Sequence, residues 1–430
     1  MPVPLLDLKR QYATLRDEIE PRVRAVLESQ GFILGPEVER FEEAVRQFSG
    51  AGAAVGMSSG TDAQLAALMA LGIGPGDAVL TTPYTFFATA GCLSRVGARP
   101  VFVDIDPATF NISPDALEDY LENVARRDSA GVLRTPTGER LRAIIPVHLF
   151  GLCADMDRIL RLEHGGWPVG LPVLEDASQA IGAEYPLTQG AQPLQSASAF
   201  TAYSGGTTRP AQAGTMGDLG WYSFFPSKNL GAFGDGGLTL ARDPALAPPL
   251  KATRMHGMET QYYHRFVGGN FRLDALQAAI LAVKLPHLPA WSAARRAKAD
   301  FYRAAFTRAG LLEQLTPPAE PYAGRGLTNH HIYHQYVVRV AGGRRDALKA
   351  HLTARGIGCA IYYPLALHQQ ECFRSLGYRE GDFPAAEAAA RESLALPVFP
   401  ELTEAEQTEV VGVIADFYNQ PEAKPEASLA

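Results

Sequence analysis

The chain has 430 residues, 47% of them hydrophobic and 20% charged, which is enough apolar material for a large core in one big domain plus a smaller one. A formal net charge of -7 argues against broad electrostatic attraction to nucleic acid or to an anionic membrane, both of which select a basic excess. Cys92, Cys153, Cys359 and Cys372 form no Cys-x-x-Cys pair and read as reduced thiols, and neither an export leader nor an apolar run of about 20 residues is present, so a cytoplasmic protein is expected.

From Glu18 to Phe48 apolar residues recur at helical spacing, broken between Gly31 and Pro36, which predicts two helices joined by a turn. Ala53 to Met57 reads as a strand that turns at Ser-Ser-Gly-Thr into a helix over Asp62 to Leu71. Further β-rich runs follow at Ala78 to Thr82, Arg99 to Val103, Ala143 to Val147, Pro172 to Glu175, Leu219 to Phe224 and Gly237 to Leu240. Their alternation with helical stretches predicts an α/β domain with a mostly parallel central sheet, over residues 1–253. From 254 to 419 the pattern changes to a smaller α+β domain. It holds a long helix from Leu273 that runs past Pro286 and Pro289 to Ala309, a strand at Tyr333 to Val340, a helix at Arg345 to Arg355 and an apolar run at Ile357 to Tyr362. Arg126 to Arg142 and Pro186 to Thr215 read as inserted surface loops or flaps, and Gln420 to Ala430 as a disordered tail.

The richest chemistry lies in Gly217-Asp-Leu-Gly-Trp-Tyr-Ser-Phe-Phe-Pro-Ser-Lys-Asn-Leu-Gly231, where Lys228 sits among glycines, small hydroxyls and aromatics. A lysine desolvated in such a turn has a lowered pKa and attacks carbonyls; the plain alternative is an ordinary loop lysine. Asp176 closes the buried run Val173-Leu-Glu-Asp, where a carboxylate needs a cationic partner such as a protonated pyridine nitrogen, unless it simply caps the next helix. Gln179, three residues on, can reach a ring hydroxyl. Ser59-Gly60-Thr61 opens a helix and suits a phosphate, or is only its cap, and Ser223 can add a hydroxyl to the same anion. Phe86, in Tyr84-Thr-Phe-Phe87, can cover a planar ring or pack in the core.

In that order along one α/β domain, these features resemble the cofactor site of fold-type-I pyridoxal-phosphate enzymes. The chain resembles in particular the sugar aminotransferases of the DegT/DnrJ/EryC1/StrS family. The resemblance runs from Leu5-Leu-Asp-Leu-Lys-Arg-Gln-Tyr through Phe32-Ile-Leu-Gly-Pro, Ser59-Gly-Thr-Asp-Ala, Glu175-Asp-Ala-Ser-Gln and Ser223-Phe-Phe-Pro-Ser-Lys-Asn to Gly269-Asn-Phe-Arg-Leu-Asp. It implies that Lys228 is the Schiff-base lysine and proton shuttle and that Asp176 pairs with the pyridinium. Gln179 then lies by the ring oxygen, Phe86 stacks on the ring, and Gly60, Thr61 and Ser223 hold the phosphate. It further implies that Asn270 reaches the neighbouring subunit's phosphate, so that the active unit is a homodimer. Arg254, Tyr362, Tyr363 and His368 are looser matches for the sugar nucleotide, with Tyr362 standing where the family often has histidine. The implied reaction is transamination of a nucleotide-linked keto-hexose, oxidised at carbon 3 or 4, with an amino acid donor, usually glutamate.

No Gly-x-Gly-x-x-Gly follows the first strand and no Gly-x-x-x-x-Gly-Lys-Ser/Thr occurs, which sets aside dinucleotide and triphosphate readings. His330, His331 and His334 lack a carboxylate or cysteine at ligand spacing, so a strand edge beside the substrate is preferred to a metal site. A regulatory or scaffolding protein that keeps the fold without turnover is the remaining alternative.

Overall fold

The computed structural model describes residues 2–165, 167–188 and 210–419. Seven of the β-rich runs become one sheet: β1 (Ala53–Met57), β2 (Asp77–Thr81), β3 (Arg99–Phe102), β4 (Arg140–Ile145), β5 (Leu174–Asp176), β6 (Leu219–Ser223) and β7 (Gly237–Ala241). Their order is β1-β7-β6-β5-β4-β2-β3, and only β7 runs against the rest. The joint between β4 and β5 is made by two isolated bridges, Ile144 to Val173 and Val147 to Asp176. Strands β1, β2 and β7 are buried at every position, as a sheet covered on both faces requires. The carboxyl ends of the six parallel strands share one edge, where open α/β sheets bind ligands.

The first helices are α1 (Leu8–Ser29), α2 (Pro36–Ser49), α3 (Gly60–Ala70), α4 (Ala88–Arg95) and α5 (Ala247–Arg254). The long helix expected from Leu273 is two helices, α6 (Ala275–Lys284) and α7 (Leu288–Arg308), separated by a 3-10 turn at Leu285–His287 that holds Pro286, with Pro289 in the first turn of α7. Although α6 follows Arg254, it packs on α1 and α2, and its Ala275, Ala278 and Leu281 join Phe41 and Phe224 in the larger core.

A second core forms around the antiparallel sheet of β8 (Leu315–Thr316), β9 (Tyr336–Val340) and β10 (Ser393–Leu396). Helices α7, α8 (Arg345–Ala354) and α10 (Glu404–Asn419) contribute to it, while α9 (Pro384–Glu392) packs beside it. Val3 also belongs to this core: its N–H donates to Gly356 O at 2.9 Å, and its carbonyl accepts from Gly358 N at 2.7 Å.

One expectation differs. Arg126 to Arg142 is not a plain loop: Arg126–Arg127 and Leu133–Arg134 extend the main sheet antiparallel beside β4, because Leu133 is buried and Asp128 binds Arg134 at 2.7 Å. The apolar run Ile357 to Tyr362 pairs through single bridges at Ile357 and Ala360. The stems of the Pro186 to Thr215 stretch are joined where Glu184–Tyr185 pairs with Ala211–Gln212. Most of that stretch, and the tail Gln420 to Ala430, lie outside the described residues. No described helix is long and apolar enough to cross a membrane.

Candidate active site

Asp176 ends β5 beside the joint to β4, and its backbone is held on both sides, with its N–H on Pro146 O and its carbonyl on His148 N, each at 2.9 Å. Its carboxylate is 6% exposed and accepts from Thr89 Oγ1 at 2.8 Å and Ser178 N at 3.2 Å. Thr89 opens α4, a helix start made of small residues that lets the hydroxyl come close. Behind Asp176 lies a buried dyad. His148 Nδ1 accepts from Ala154 N at 3.0 Å, so Nε2 carries the proton and donates to Glu175 Oε2 at 2.8 Å. Glu175 also accepts from Gly214 N and Gly217 N.

Lys228 follows β6 in a turn closed by its own N–H on Phe225 O at 2.8 Å. The side chain keeps some access to the cleft, yet burial lowers its amine to about 8, against the opposing pull of Asp176. The next residue, Asn229, is buried, donating to Ile332 O and accepting from His334 Nδ1, both at 3.1 Å. His334 is kept neutral chiefly by burial, and then by the positive charges of Lys228 and Arg295. Arg295 in turn anchors the 333–334 backbone through the Tyr333 carbonyl at 3.0 Å.

The turn between β1 and α3 is closely packed. Ser59 Oγ accepts from Asp62 N at 3.0 Å, which leaves the N–H groups of Gly60 and Thr61 at the open helix end. A Cβ on Gly60 would stand 2.7 Å from Ser223 Cβ, so glycine is what lets this helix end and Ser223 share one spot.

Across the cleft, Gln179 Oε1 accepts from Phe150 N at 2.7 Å and Gln179 Nε2 donates to the Tyr363 hydroxyl at 3.0 Å. Phe86 is 57% exposed and tilted against Tyr363, with ring centres 6.3 Å apart. The structure thus gathers Gly60, Thr61, Ser223, Phe86, Asp176, Gln179, Lys228 and Tyr363 at the carboxyl edge of the sheet, with Tyr362 adjoining.

Three sequence candidates lie elsewhere. The Arg254 guanidinium is buried against Glu42 Oε1 at 2.6 Å and Gly56 O at 3.0 Å, so it joins α5 to α2 and β1 instead of facing a ligand. His368 is buried too, with Nε2 on Glu387 Oε1 at 3.0 Å and its ring against Phe383. Asn270 is exposed, paired through its backbone with Met255, and no hydrogen bond among the described residues joins it to Lys228 or Asp176. Of the three clustered histidines, His330 bonds Glu320 at 3.2 Å, while His331 stacks on Tyr333 and accepts from its N–H. Thr89, His148, Glu175 and Asn229 were given no role by sequence reasoning. The only signal was a polar residue placed directly after an apolar run, as in Ala143-Ile-Ile-Pro-Val-His148.

This donor set suits a phosphorylated pyridine aldehyde: an enclosed amine, a buried carboxylate, an oriented amide, and a helix N-terminus beside a hydroxyl. Fold and site define a pyridoxal-phosphate enzyme of fold type I. The chain belongs to the DegT/DnrJ/EryC1/StrS aminotransferase family, whose profile matches residues 13–415.

Among its relatives is a protein of Geobacillus stearothermophilus named "Pleiotropic regulatory protein", 44% identical over 97% of this chain and 99% of that one. Another is a UDP-N-acetyl-3-dehydro-alpha-D-glucosamine 3-aminotransferase of Acidithiobacillus ferrooxidans, 40% identical over 96% of this chain and 97% of that one. Among solved structures, NtdA from Bacillus subtilis with bound cofactor PMP superimposes with a TM-score of 0.79 at 27% identity, covering 97% of this chain and 86% of that one. The chain is an aminotransferase, and its cofactor is pyridoxal phosphate.

Proposed function

We propose that this protein transfers an amino group from an amino acid, glutamate in our reading, to the keto carbon of a nucleotide-diphosphate-linked hexose, as a homodimer in the cytoplasm. The observation that carries this reading is the enclosed Lys228 amine at the same sheet edge as the buried Asp176 carboxylate. The name of the Acidithiobacillus relative supports a 3-oxo sugar carried on a nucleotide. Four unpaired cysteines suit a reducing compartment.

Pyridoxal phosphate supplies a carbonyl for an amine and a ring that accepts electron density from the substrate carbon. Lys228 Nζ would hold that carbonyl until the amino donor displaces it, and the freed amine would then move a proton between the substrate carbon and the cofactor's former carbonyl carbon, in one direction with the donor and in the reverse with the sugar. The Asp176 carboxylate, held in place by Thr89, would pair with the ring nitrogen. Gln179 donates to the ring oxygen, Phe86 covers the ring, and Gly60, Thr61 and Ser223 hold the phosphate. Tyr362 and Tyr363 form the wall that meets the sugar nucleotide. Asn270 serves the partner's phosphate, and support for the dimer comes from its exposure together with that of Tyr262, Tyr263 and Val267 nearby.

The test is the visible spectrum of the purified protein with pyridoxal phosphate, before and after glutamate, in wild type and Lys228→Ala. The expected result is a band that glutamate bleaches in the wild type and that never forms in the variant. The second reading, a cofactor-binding regulator without turnover, is favoured by the name of the Geobacillus relative. It predicts a band that no amino donor bleaches.

A further inference from the structure

Tyr363 stands between two sets of contacts. On one side, the Gln179 amide is fixed in orientation, because its oxygen takes the Phe150 N–H at 2.7 Å, and its nitrogen therefore points to the Tyr363 hydroxyl at 3.0 Å. An amide nitrogen carries two protons, so one remains for a ring oxygen while the other is committed to Tyr363. On the other side, the fully buried Tyr84 hydroxyl donates to Tyr362 O at 2.5 Å and accepts from Tyr363 N at 3.1 Å. It also meets Ser393 Oγ at 2.7 Å. Tyr84 follows β2 of the main sheet, whereas Ser393 opens β10 of the second. One hydroxyl therefore fixes where the 362–363 segment lies over the cofactor edge.

Resting on the aminotransferase reading above, we propose that Tyr363 is a positioning residue that acts on the cofactor through Gln179. The Tyr84–Tyr363–Gln179 chain would thereby link the substrate wall to the hydrogen bond on the ring oxygen. Because its hydroxyl accepts from Gln179, Tyr363 keeps its own proton to donate toward an oxygen of the sugar nucleotide. A substrate that engages Tyr363 then alters the amide that faces the ring.

The experiment uses full-length protein loaded with pyridoxal phosphate, without substrate, and follows the pH midpoint of its visible band. Charged or titratable groups facing this region are Asp176, Tyr84 and Tyr362 around Tyr363, and Asp176 and His334 around Lys228. Gln179→Leu should raise the midpoint by roughly half to one pH unit, because the negative ring oxygen loses a donor and the protonated lysine linkage is favoured. Tyr363→Phe should move it in the same direction by less, and the Gln179→Leu, Tyr363→Phe double variant should match Gln179→Leu alone. Tyr84→Phe, which frees the 362–363 segment, should also raise it and carries the test if Tyr363→Phe does not fold. A wild-type midpoint in Tyr363→Phe, or shifts that add fully in the double variant, overturns the proposal. A wild-type protein that forms no visible band would instead overturn the aminotransferase reading.

Discussion

Lys228 owes its reactivity to where β6 delivers it. An ordinary lysine, with a pKa near 10.4, is almost wholly protonated at neutral pH. Burial that lowers this amine to about 8 leaves about a tenth of it free as a nucleophile at that pH. Capture of pyridoxal phosphate by cofactor-free protein should therefore speed up as pH rises from 6 and level off above about 8, as followed by the growth of the visible band in stopped flow. A rate still climbing steeply at pH 10 would show an unperturbed lysine. Asp176 makes the complementary case. With its backbone pinned at both ends and Thr89 on one oxygen, its replacement by asparagine should disturb little structure. In Asp176→Asn, cofactor binding should survive while kcat falls by about 100-fold or more, the range for a removed electrostatic or proton-handling group. A kcat near wild type would place the ring nitrogen elsewhere.

The turn from β1 into α3 works because a helix end and a neighbouring strand occupy almost the same space. Gly60→Ala should drive a methyl into Ser223 Cβ, costing about 1–3 kcal/mol of stability and weakening pyridoxal phosphate binding at least tenfold in a fluorescence titration. Ser223→Ala should not relieve the clash, since the opposing atom is Cβ. Arg254 carries the opposite kind of load. Arg254→Ala strands the Glu42 carboxylate between α2 and β1, with an expected loss of about 3–5 kcal/mol in urea unfolding. Restoring more than half of that loss with a second change, Glu42→Gln, would confirm the pair as structural. These two elements show what the sequence could disclose. Gly60, Asp176 and Lys228 were legible because each lies within a few residues of a strand end whose apolar run announces it. The partners of Arg254 and His368, Glu42 and Glu387, could not be read from the sequence because they come from separate helices, and only packing reveals these pairs. Thr89 and His148 were invisible for the same reason: a hydroxyl or imidazole is assigned a role only when the strand beside it is known. The seven strands were found with bounds off by at most three residues, while the two small strands beside β4 were hidden by their arginines.

At the scale of the whole molecule, the cleft has Lys228 and Asp176 from the main sheet on one side and, on the other, Tyr362 and Tyr363, which pack on a cluster that joins Tyr84 and Phe110 to Val337 of the second sheet. If Asn270 completes the partner's site, Lys228→Ala and Asn270→Ala should each be nearly inactive. Co-expressed and left as a random mixture of dimers, they should recover roughly a quarter of wild-type activity, because half of the random pairs hold one intact site of two. No recovery in a verified mixture would place both residues in the same chain's site. The pairing of Val3 with Ile357 also has a consequence for how the molecule is made. Val3 ends in the second core, but Ile357, which receives it, is translated on the order of tens of seconds later. Until then the amino terminus has no place to dock, so α1 can settle on the growing first core while the residues before it hang free. That strap cannot close before Ile357 is made, and it sews the segment before α1 to the second core. A bulky amino-terminal fusion should accordingly slow the last step of maturation far more than the same fusion at the carboxyl end.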